Sequence, residues 1–414
     1  MLDIRFIREN SDLVQQNAKN KGYDINIAEL LKVDEQKRGL QQKADDLREK
    51  RNTISSQLKG GRPSDELIQE SKLIKEELIS IETDLKVASD LFEKLIVQVP
   101  NITQPDVPIG GEEDSVEIKK WGEQKTGAID HLDFAMKRDW LDFERGAKVA
   151  GAKFYYLKGD LALLENAVTQ FALDFANKKG FTYLSVPYLV NSRTATGSGF
   201  APRTSEQSDE YYIDGEDLSL IATAEMPLTG YHSDEILEEA NLPLLYCAYS
   251  PSFRREAGTY GKYNRGLFRV HQFNKLELYA FTLPEQSIDI HDKILAIEEE
   301  IWQAIGIPYH VINIASGDLG APASKKYDLE YWSPVDGMYR ELTSASNCTD
   351  FQARNLNIRV RRADGNVDTV HTLNGTAVSL ARSLIAILEH YQNKDGTLNV
   401  PEVLQQYMYG RTTI

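Results

Sequence analysis

Residues 252–278 read SFRREAGTYGKYNRGLFRVHQFNKLEL and combine charged and aromatic side chains more densely than the rest of the chain. Side chains alternate between the two faces of a strand, so a strand ending at Leu278 would place Arg269, His271, Phe273, Lys275 and Glu277 on one face. Such a face suits an anionic, planar ligand, with arginines for phosphate and a ring for stacking. A solvent-facing strand of mixed charge is the alternative.

The composition limits the class of protein. The chain has 414 residues, 47 Lys and Arg, 63 Asp and Glu, and a net charge of −16. It exceeds a typical domain of ~100–150 residues, so we expect two or more domains. No apolar run approaches the ~20 residues of a spanning helix, and the N-terminus lacks the apolar core of a signal peptide. Cys247 and Cys348 stand apart without a Cys/His cluster, so no zinc is expected. We predict a soluble, cytoplasmic protein with no membrane partner.

Two stretches of the N-terminal quarter show the apolar spacing of a coiled coil. The first runs through Leu30, Val33, Lys37, Leu40, Ala44, Leu47, Arg51, Ile54 and Leu58, and the second through Leu67, Ser71, Ile74, Leu78, Ile81, Leu85, Ala88, Phe92 and Leu95. Between them, Gly60 and Gly61 can end one helix and Ser64 can cap the next. We therefore predict an antiparallel hairpin over about residues 27–97, forming an arm.

The pattern alone leaves the partner of this arm open. A protein-interaction coiled coil is the simplest interpretation. However, residues 41–62 in the outer half hold six basic and three acidic side chains in a protein of net charge −16. A local positive patch of this kind can bind the phosphates of a nucleic acid.

Prolines and glycines divide the chain. Pro100, Pro105, Pro108, Gly110 and Gly111 predict a linker over residues 101–113, between an N-terminal helical domain (1–100) and a mixed domain (114–414). In the mixed domain we predict a helix over 161–180, a strand over 183–187, and hairpins around Asp214-Gly215 and Asp364-Gly365. The fold class is α+β.

Three segments resemble the motifs of the class II aminoacyl-tRNA synthetases. Phe253-Arg254-x-Glu256, a loop and Arg269-x-x-x-Phe273-x-x-x-Glu277 resemble motif 2, Asn374 to Arg382 resembles motif 3, and Pro187 fits motif 1. Thr223-Ala224-Glu225 and Glu341 to Cys348 narrow the resemblance to seryl-tRNA synthetases of the bacterial type. It covers essentially the whole chain. It implies an antiparallel catalytic sheet flanked by helices, preceded by an N-terminal coiled-coil arm that binds tRNA.

The resemblance also assigns roles to individual residues. It implies that Arg254 and Arg382 are catalytic and bind the phosphates of ATP. The further ATP-binding residues that it implies are Arg255, Glu256, Phe273, Glu341, Leu342, Thr343 and Ser344, of which Glu341 and Ser344 hold Mg²⁺ with the ATP. The serine-binding residues that it implies are Thr223, Ala224, Glu225, Glu277 and Thr376.

The implied reaction joins L-serine to AMP with release of pyrophosphate and then transfers serine to the 3′ end of tRNA(Ser). The resemblance leaves tRNA(Sec) open as a second acceptor, and it implies a homodimer. Two alternatives remain, namely an adenylating ligase that loads a carrier protein and an inactive paralogue that acts as a binding module. The long arm argues against the first, and the intact Arg254, Glu256, Glu277 and Arg382 argue against the second.

Overall fold

The computed structural model describes residues 1–58, 64–200, 210–256 and 265–414, with the backbone alone for residues 57 and 58. The chain divides into two compact units, Met1–Pro100 and Asn101–Ile414. The predicted loop residues 59–63, and residues 257–264 of the quoted stretch, lie outside the described residues.

The described part of the first unit is helical. Its helices are α1 (Ile4–Glu9), α2 (Ser11–Asn20), α3 (Ile27–Leu58) and α4 (Asp65–Ile96). Ser64 caps α4, as predicted, by accepting a hydrogen bond from the backbone N–H of Leu67. The seam between α3 and α4 buries Ala44, Leu47, Ile54, Ile74 and Leu78. The predicted apolar spacing therefore forms a long helical hairpin.

Ion pairs show the direction of the two long helices and modify the predicted basic patch. Arg48 of α3 binds Glu82 of α4 at 2.9 Å, whereas Lys37 lies 3.7 Å from Glu93, so the helices are antiparallel. Arg48 also binds Asp45, so its charge is largely neutralised within the arm. The other basic residues of this part of α3 that the structure describes, Lys43, Lys50 and Arg51, are exposed and form no ion pair with another described residue.

The second unit mixes helices and strands. Its first half contains β1 (Val116–Trp121), α5 (His131–Lys137), β2 (Leu141–Asp142), α6 (Phe143–Ala150), β3 (Tyr156–Leu157), α7 (Gly159–Lys178), β4 (Thr182–Tyr183), β5 (Leu189–Val190), α8 (Ser192–Ser198), β6 (Ser219–Leu220), α9 (Glu225–Gly230), β7 (Ile236–Glu238) and β8 (Leu244–Phe253). The second half contains β9 (Gln272–Thr282), α10 (Ser287–Ile305), β10 (Tyr309–Asn313), β11 (Lys325–Ser333), β12 (Met338–Thr349), α11 (Phe351–Leu356), β13 (Arg359–Arg361), β14 (Val367–Thr369), β15 (His371–Ser379), α12 (Leu380–Tyr391) and α13 (Glu402–Gln405).

One large sheet organises this unit. Its strand order is β1-β10-β11-β12-β15-β9-β8-β4, and its pairs are antiparallel except for β4 with β8. Apolar residues of α7, α10 and α12 pack with the sheet into one core. The α+β class and the antiparallel sheet flanked by helices are confirmed.

The structure confirms the two predicted hairpins but changes the bounds of two predicted strands. The hairpin at Gly215 forms, because Ile213 N–H donates to the Leu218 carbonyl, and β13 pairs with β14 around Gly365. The strand predicted over 183–187 is limited to Thr182–Tyr183, followed by one more bond to β8, from the Leu184 N–H to the Cys247 carbonyl. The strand of the quoted stretch begins only at Gln272, because Gly266–Phe268 form a 3₁₀ turn, so Arg269 and His271 precede the strand.

The first residues after Pro100 run along the second unit. The buried Asn101 amide donates to the Pro322 and Cys348 carbonyls at 2.8 Å, and Ser316 N–H donates to the Pro108 carbonyl. These bonds make residues 101–110 an ordered part of that unit. Among the described helices of the whole chain, none has the length and apolarity needed to cross a bilayer.

Candidate active site

A cavity of about 270 Å³ opens on the sheet between β8, β9, β12 and the start of α12. Six of its sixteen lining residues are charged, four of them cationic. The lining residues are Arg254, Glu256, Leu267, Phe268, Arg269, Val270, Phe273, Lys275, Glu341, Leu342, Thr343, Ser344, Thr376, Ser379, Ala381 and Arg382.

The strand register brings distant residues to one face of the sheet. Lys275 pairs with Ser379 and Glu277 with Thr376 across β9 and β15. Ala377 is an extra residue in this ladder, since Val378 already pairs with Leu276. Directly paired residues of an antiparallel ladder lie on the same face, with Cβ atoms about 5 Å apart. Without this bulge, Thr376 and Ser379 would lie on opposite faces.

A second bulge, in β12, places Glu341 and Ser344 on the same face of the sheet. Thr343 pairs with Leu329 and Glu341 with Glu330, which leaves Leu342 as the extra residue. Residues three apart lie on opposite faces of a regular strand, and one extra residue reverses that relation. Glu341 and Ser344 therefore share the cavity face. Thr343 also borders the cavity, but its hydroxyl donates to the buried Glu298 of α10 at 2.7 Å, on the opposite face.

Arg382 and Glu341 form the electrostatic centre of the cavity. A guanidinium nitrogen of Arg382 lies 2.8 Å from Oε1 of Glu341. Burial opposes ionisation of Glu341, but the charges of Arg382 and Lys326 outweigh it and lower its pKa to about 2. The Glu341 side chain is still 44% exposed, so the ionised carboxylate remains open to a ligand.

Arg254 stands beside Phe273. The Arg254 guanidinium carbon is 5.3 Å from the centre of the Phe273 ring, within the range of a cation–π contact. His271 fixes the backbone here, because its Nδ1–H donates to the Arg254 carbonyl at 3.0 Å. It thus serves as a structural hydrogen-bonding residue.

Glu256 and Arg269 lie together in the cavity wall. Their side chains form an ion pair of 2.7 Å, and only 13% of the Glu256 side chain is exposed. Glu256 has a φ of +49°, a left-handed conformation that is uncommon for a residue with a side chain. Strain of this kind is concentrated at ligand-binding sites.

A polar pocket lies beside Lys275 and contains the side chain of Glu277. The Lys275 ammonium and the Thr223 hydroxyl both contact Oε1 of Glu277. The other oxygen, Oε2, is buried and has no hydrogen-bond partner among the described residues. A buried carboxylate oxygen without a donor is costly, so this atom is suited to receive a hydrogen bond from a ligand.

Glu225 adds a second carboxylate to this pocket. Its Oε1 accepts from Gln352 Nε2 at 2.7 Å and from Asn374 Nδ2 at 2.9 Å. Burial and the nearby Glu277 raise the pKa of Glu225 to about 7, against the stabilising bond from Gln352. A pocket with two carboxylates and one ammonium group favours a ligand that brings a positive charge.

The sequence comparisons agree along the whole chain. Residues 1–103 match the seryl-tRNA synthetase N-terminal domain, and residues 208–391 match the tRNA synthetase class II core domain (G, H, P, S and T). The serine–tRNA ligase of Dictyoglomus thermophilum is 47% identical over 99% of this chain and 98% of its own. The chain belongs to the seryl-tRNA synthetase family.

Solved structures of seryl-tRNA synthetases support the same assignment. The enzyme of Pyrococcus horikoshii, solved in complex with ATP, aligns with 100% of this chain and 99% of its own, at 41% identity and a TM-score of 0.91. The cytoplasmic serine–tRNA ligase of Naegleria fowleri, solved with AMP, aligns with 100% of this chain and 98% of its own, at 32% identity and a TM-score of 0.85.

The structure gathers most of the site residues that the resemblance to seryl-tRNA synthetases implied. Arg254, Glu256, Phe273, Glu341, Leu342, Thr343, Ser344, Thr376 and Arg382 line the cavity. Thr223, Ala224, Glu225 and Glu277 are buried together at its side. Arg255 is exposed and is absent from the cavity lining.

Some residues of this seryl-tRNA synthetase site carried no assigned role in the sequence. Leu267, Phe268, Val270, Ser379 and Ala381 complete the lining, and Arg269 and Lys275 add charge to it. Lys275 and Arg269 had a signal, since they belong to the polar pattern of the quoted stretch. The apolar residues had none, because an isolated leucine or valine has the same pattern in a core and in a nucleotide pocket.

The predicted Mg²⁺ ligands of the seryl-tRNA synthetase site are chemically suitable. Glu341 offers a carboxylate and Ser344 a hydroxyl on the same face, which are the hard oxygen donors that Mg²⁺ prefers. Arg382 contacts Oε1 of Glu341, so Oε2 remains for a metal. Two protein oxygens are a normal complement when phosphate and water supply the other ligands.

Proposed function

We propose that this protein is a serine–tRNA ligase. In the first step a carboxylate oxygen of L-serine attacks the α-phosphorus of ATP, and the bond to pyrophosphate breaks. In the second step a terminal hydroxyl of tRNA attacks the carbonyl of seryl-adenylate, and AMP leaves. The protein needs no nucleophile of its own, because both steps depend on orientation and charge stabilisation.

The main observation behind this proposal is that two binding regions meet at Lys275. One is the cavity with its arginines and the Phe273 ring, and the other is the polar pocket around Glu277. Lys275 lines the cavity and also contacts Glu277 of the pocket. A ligand that spans both parts would combine phosphates, a planar base and a small amino acid. The ATP and AMP complexes of the related seryl-tRNA synthetases support a nucleotide in the cavity.

Each residue of the cavity has a defined task in the proposed reaction. Arg254 and Arg382 bind phosphate oxygens and stabilise the charge that develops during transfer. Phe273 stacks on the adenine ring, and Glu256 accepts from its amino group. Glu341 and Ser344 hold Mg²⁺, which neutralises phosphate charge when it is bound.

The polar pocket recognises serine. Thr223 holds Glu277 in place, and Glu277 and Thr376 bind the serine hydroxyl from opposite strands. Glu225 faces the α-ammonium group. A pocket that satisfies the hydroxyl leaves polar groups unpaired when alanine enters, which supports discrimination of about 10⁴ without an editing site.

The direct test is an ATP–pyrophosphate exchange assay with serine, alanine and threonine. We expect exchange that depends on serine, with alanine and threonine slower by orders of magnitude. Exchange with another amino acid, or none with serine, would contradict the proposal. A further assay that offers tRNA(Ser) and an acyl-carrier protein separates the ligase from the carrier-loading alternative.

We further propose that residues 1–100 form a domain that binds tRNA(Ser) through its arm, and that residues 114–414 form the catalytic domain. Exposed Lys43, Lys50 and Arg51 support this role, and such phosphate contacts position an RNA without reading its bases. The enzyme is proposed to act in the cytoplasm as a homodimer. The same transfer assay, with tRNA(Sec) as a further acceptor, decides whether tRNA(Sec) is also charged.

A further inference from the structure

Gln352 occupies the centre of a buried hydrogen-bond network behind the polar pocket. It is fully buried, at 0% exposure. Its Nε2 donates to Glu225 Oε1 at 2.7 Å and to the Ser198 carbonyl at 3.0 Å. Its Oε1 accepts from the Tyr279 hydroxyl at 2.9 Å and the Thr372 hydroxyl at 2.7 Å. Both ends of the amide thus have two partners.

These partners fix which way the amide lies. A carbonyl oxygen can only accept, so the end of Gln352 that contacts the Ser198 carbonyl must be the nitrogen. The opposite end is then the oxygen, which the Tyr279 and Thr372 hydroxyls can both serve as donors. The contact with Glu225 is therefore an N–H donated to a carboxylate oxygen.

Asn374 reinforces the same atom of Glu225. Its Nδ2 donates to Oε1 at 2.9 Å, so two amide groups bind one carboxylate oxygen. No described residue donates to the other oxygen, Oε2, of Glu225. Donors on one oxygen hold the carboxyl plane in a single orientation and leave the second oxygen to a ligand.

We propose that Gln352 is a positioning residue that orients Glu225 and keeps it anionic, so that Glu225 can bind the α-ammonium group of the substrate. This inference rests on the proposed function, because it takes the polar pocket as the serine site. Gln352 itself need not touch serine. The residue comes from α11 and lies outside the cavity lining.

The charges around Glu225 make this support necessary. Burial and the carboxylate of Glu277 raise the pKa of Glu225 to about 7, whereas Gln352, Lys275 and Arg254 lower it. Thr223 and Asn374 are its neutral neighbours. The carboxyl is thus balanced between its two forms near neutral pH. Loss of a donor moves the balance toward the uncharged form, which cannot pair with an ammonium group.

The decisive variant is Gln352→Met, which preserves volume but removes both polar ends. Loss of a hydrogen bond to a charged group corresponds to about a 10- to 100-fold fall in kcat/KM for serine in pyrophosphate exchange. The KM for ATP should stay near the wild-type value. The acidic limb of the kcat/KM profile should move to higher pH by about one unit, because the pKa of Glu225 rises.

Thr372→Val is the matched control. It removes one hydroxyl from the same network but leaves the Gln352–Glu225 bond, so the acidic limb should remain where it is in the wild type. Gln352→Glu is the second variant, because it retains the shape and accepts from both hydroxyls but puts a second carboxyl group against Glu225, so that the pair shares one proton and the negative charge on Glu225 falls. It should lower kcat/KM for serine at least as much as Gln352→Met.

The possible outcomes distinguish a failure of the inference on Gln352 from a failure of the proposed serine–tRNA ligase function. An unchanged serine kcat/KM in either Gln352 variant would overturn the inference while the wild type still exchanges pyrophosphate with serine. Equal losses for serine and ATP, with an unmoved pH profile, would also overturn it and make Gln352 a packing residue. If the wild type shows no exchange that depends on serine, the proposed function fails instead. If Gln352→Met does not fold, the pH profile of Gln352→Glu decides.

Discussion

Glu277 of β9 and Thr376 of β15 stand directly opposite each other in the antiparallel ladder, and the extra residue Ala377 follows at once. The pairing places both side chains on the cavity face. Glu277 is held from the side by Thr223 and Lys275, while its Oε2 has no partner among the described residues. We propose that these two residues bind a hydroxyl group, which would donate to Glu277 and accept from Thr376.

We predict that Glu277→Gln impairs serine activation. Loss of the charged acceptor should lower kcat/KM for serine by about 10- to 100-fold in pyrophosphate exchange. Glu298→Gln is the control, because burial raises the pKa of Glu298 well above its ordinary value and the amide resembles its neutral form. The control should keep nearly full activity. Full activity and selectivity in Glu277→Gln would give Glu277 another role.

Arg254→Ala and Arg382→Ala should each cost about 3 kcal/mol in adenylation, by analogy with the loss of one charge-stabilising donor. The measurement is the rate of pyrophosphate exchange at saturating serine. The neighbouring Arg255 is exposed and outside the cavity lining, so Arg255→Ala should lose much less. Near-normal pyrophosphate exchange in Arg254→Ala or Arg382→Ala would contradict the proposal that this arginine binds the ATP phosphates.

His310 should make stability depend on pH. It lies between Glu117 and Glu330, at 2.9 and 2.6 Å, and its ring stacks on Tyr339. Burial lowers the pKa of His310, but hydrogen bonds to Glu330 and Glu117 prevail and raise it. The extra stability is therefore complete below about pH 6.5 and is lost as pH rises through the folded pKa.

The comparison is between the wild type and His310→Gln in urea unfolding from pH 5.5 to 8.5. The wild type should gain about 1 kcal/mol over the variant at the acidic end, less in high salt, since Glu117 is partly exposed. Parallel curves for the two proteins across this range would contradict the prediction.

The arm should be separable from adenylation. Deletion of residues 30–95 with a short Gly-Ser closure should leave pyrophosphate exchange largely intact, while transfer to tRNA falls by orders of magnitude. Normal charging by the deleted enzyme would make the arm a protein-interaction coiled coil and would favour the carrier-loading ligase.

A milder change tests the charges of the arm. Replacing Lys43, Lys50 and Arg51 by Gln should raise the KM for tRNA and flatten its salt dependence, because fewer counterions are released. Replacing Lys72, Lys75 and Lys86 of α4 gives a control with the same loss of charge. If both triple variants behave alike, net charge rather than the α3 surface determines binding.

The homodimer is tested by sedimentation at micromolar concentration. We expect a species of about twice 46.8 kDa with a two-fold interface. A fully active monomer would contradict this expectation.

Features that depend on the spacing of residues close together in the chain could be predicted from the sequence. The seam of α3 and α4 follows from apolar residues every three or four positions, and Ser64 follows from the capping preference of serine. Arg254, Phe273 and Arg382 follow from the resemblance to short class II synthetase motifs, and the structure places all three in the lining of one cavity. The start of β9 was misplaced, because the alternation of residues 269–271 resembles a strand although the turn Gly266–Phe268 precedes it.

The sequence by itself determined the helical arm and the α+β class, since periodicity depends only on neighbours along the chain, whereas the site residues were proposed from a resemblance to short class II synthetase motifs. The tertiary structure alone decided how those residues meet. The bulges at Leu342 and Ala377 set which side chains share the cavity face, and no spacing rule reveals an extra residue in a ladder. The pKa of Glu225 likewise depends on its burial, on Glu277 and on the hydrogen bond from Gln352, 127 residues away. Burial and hydrogen bonds between such distant residues exist only once the chain has folded.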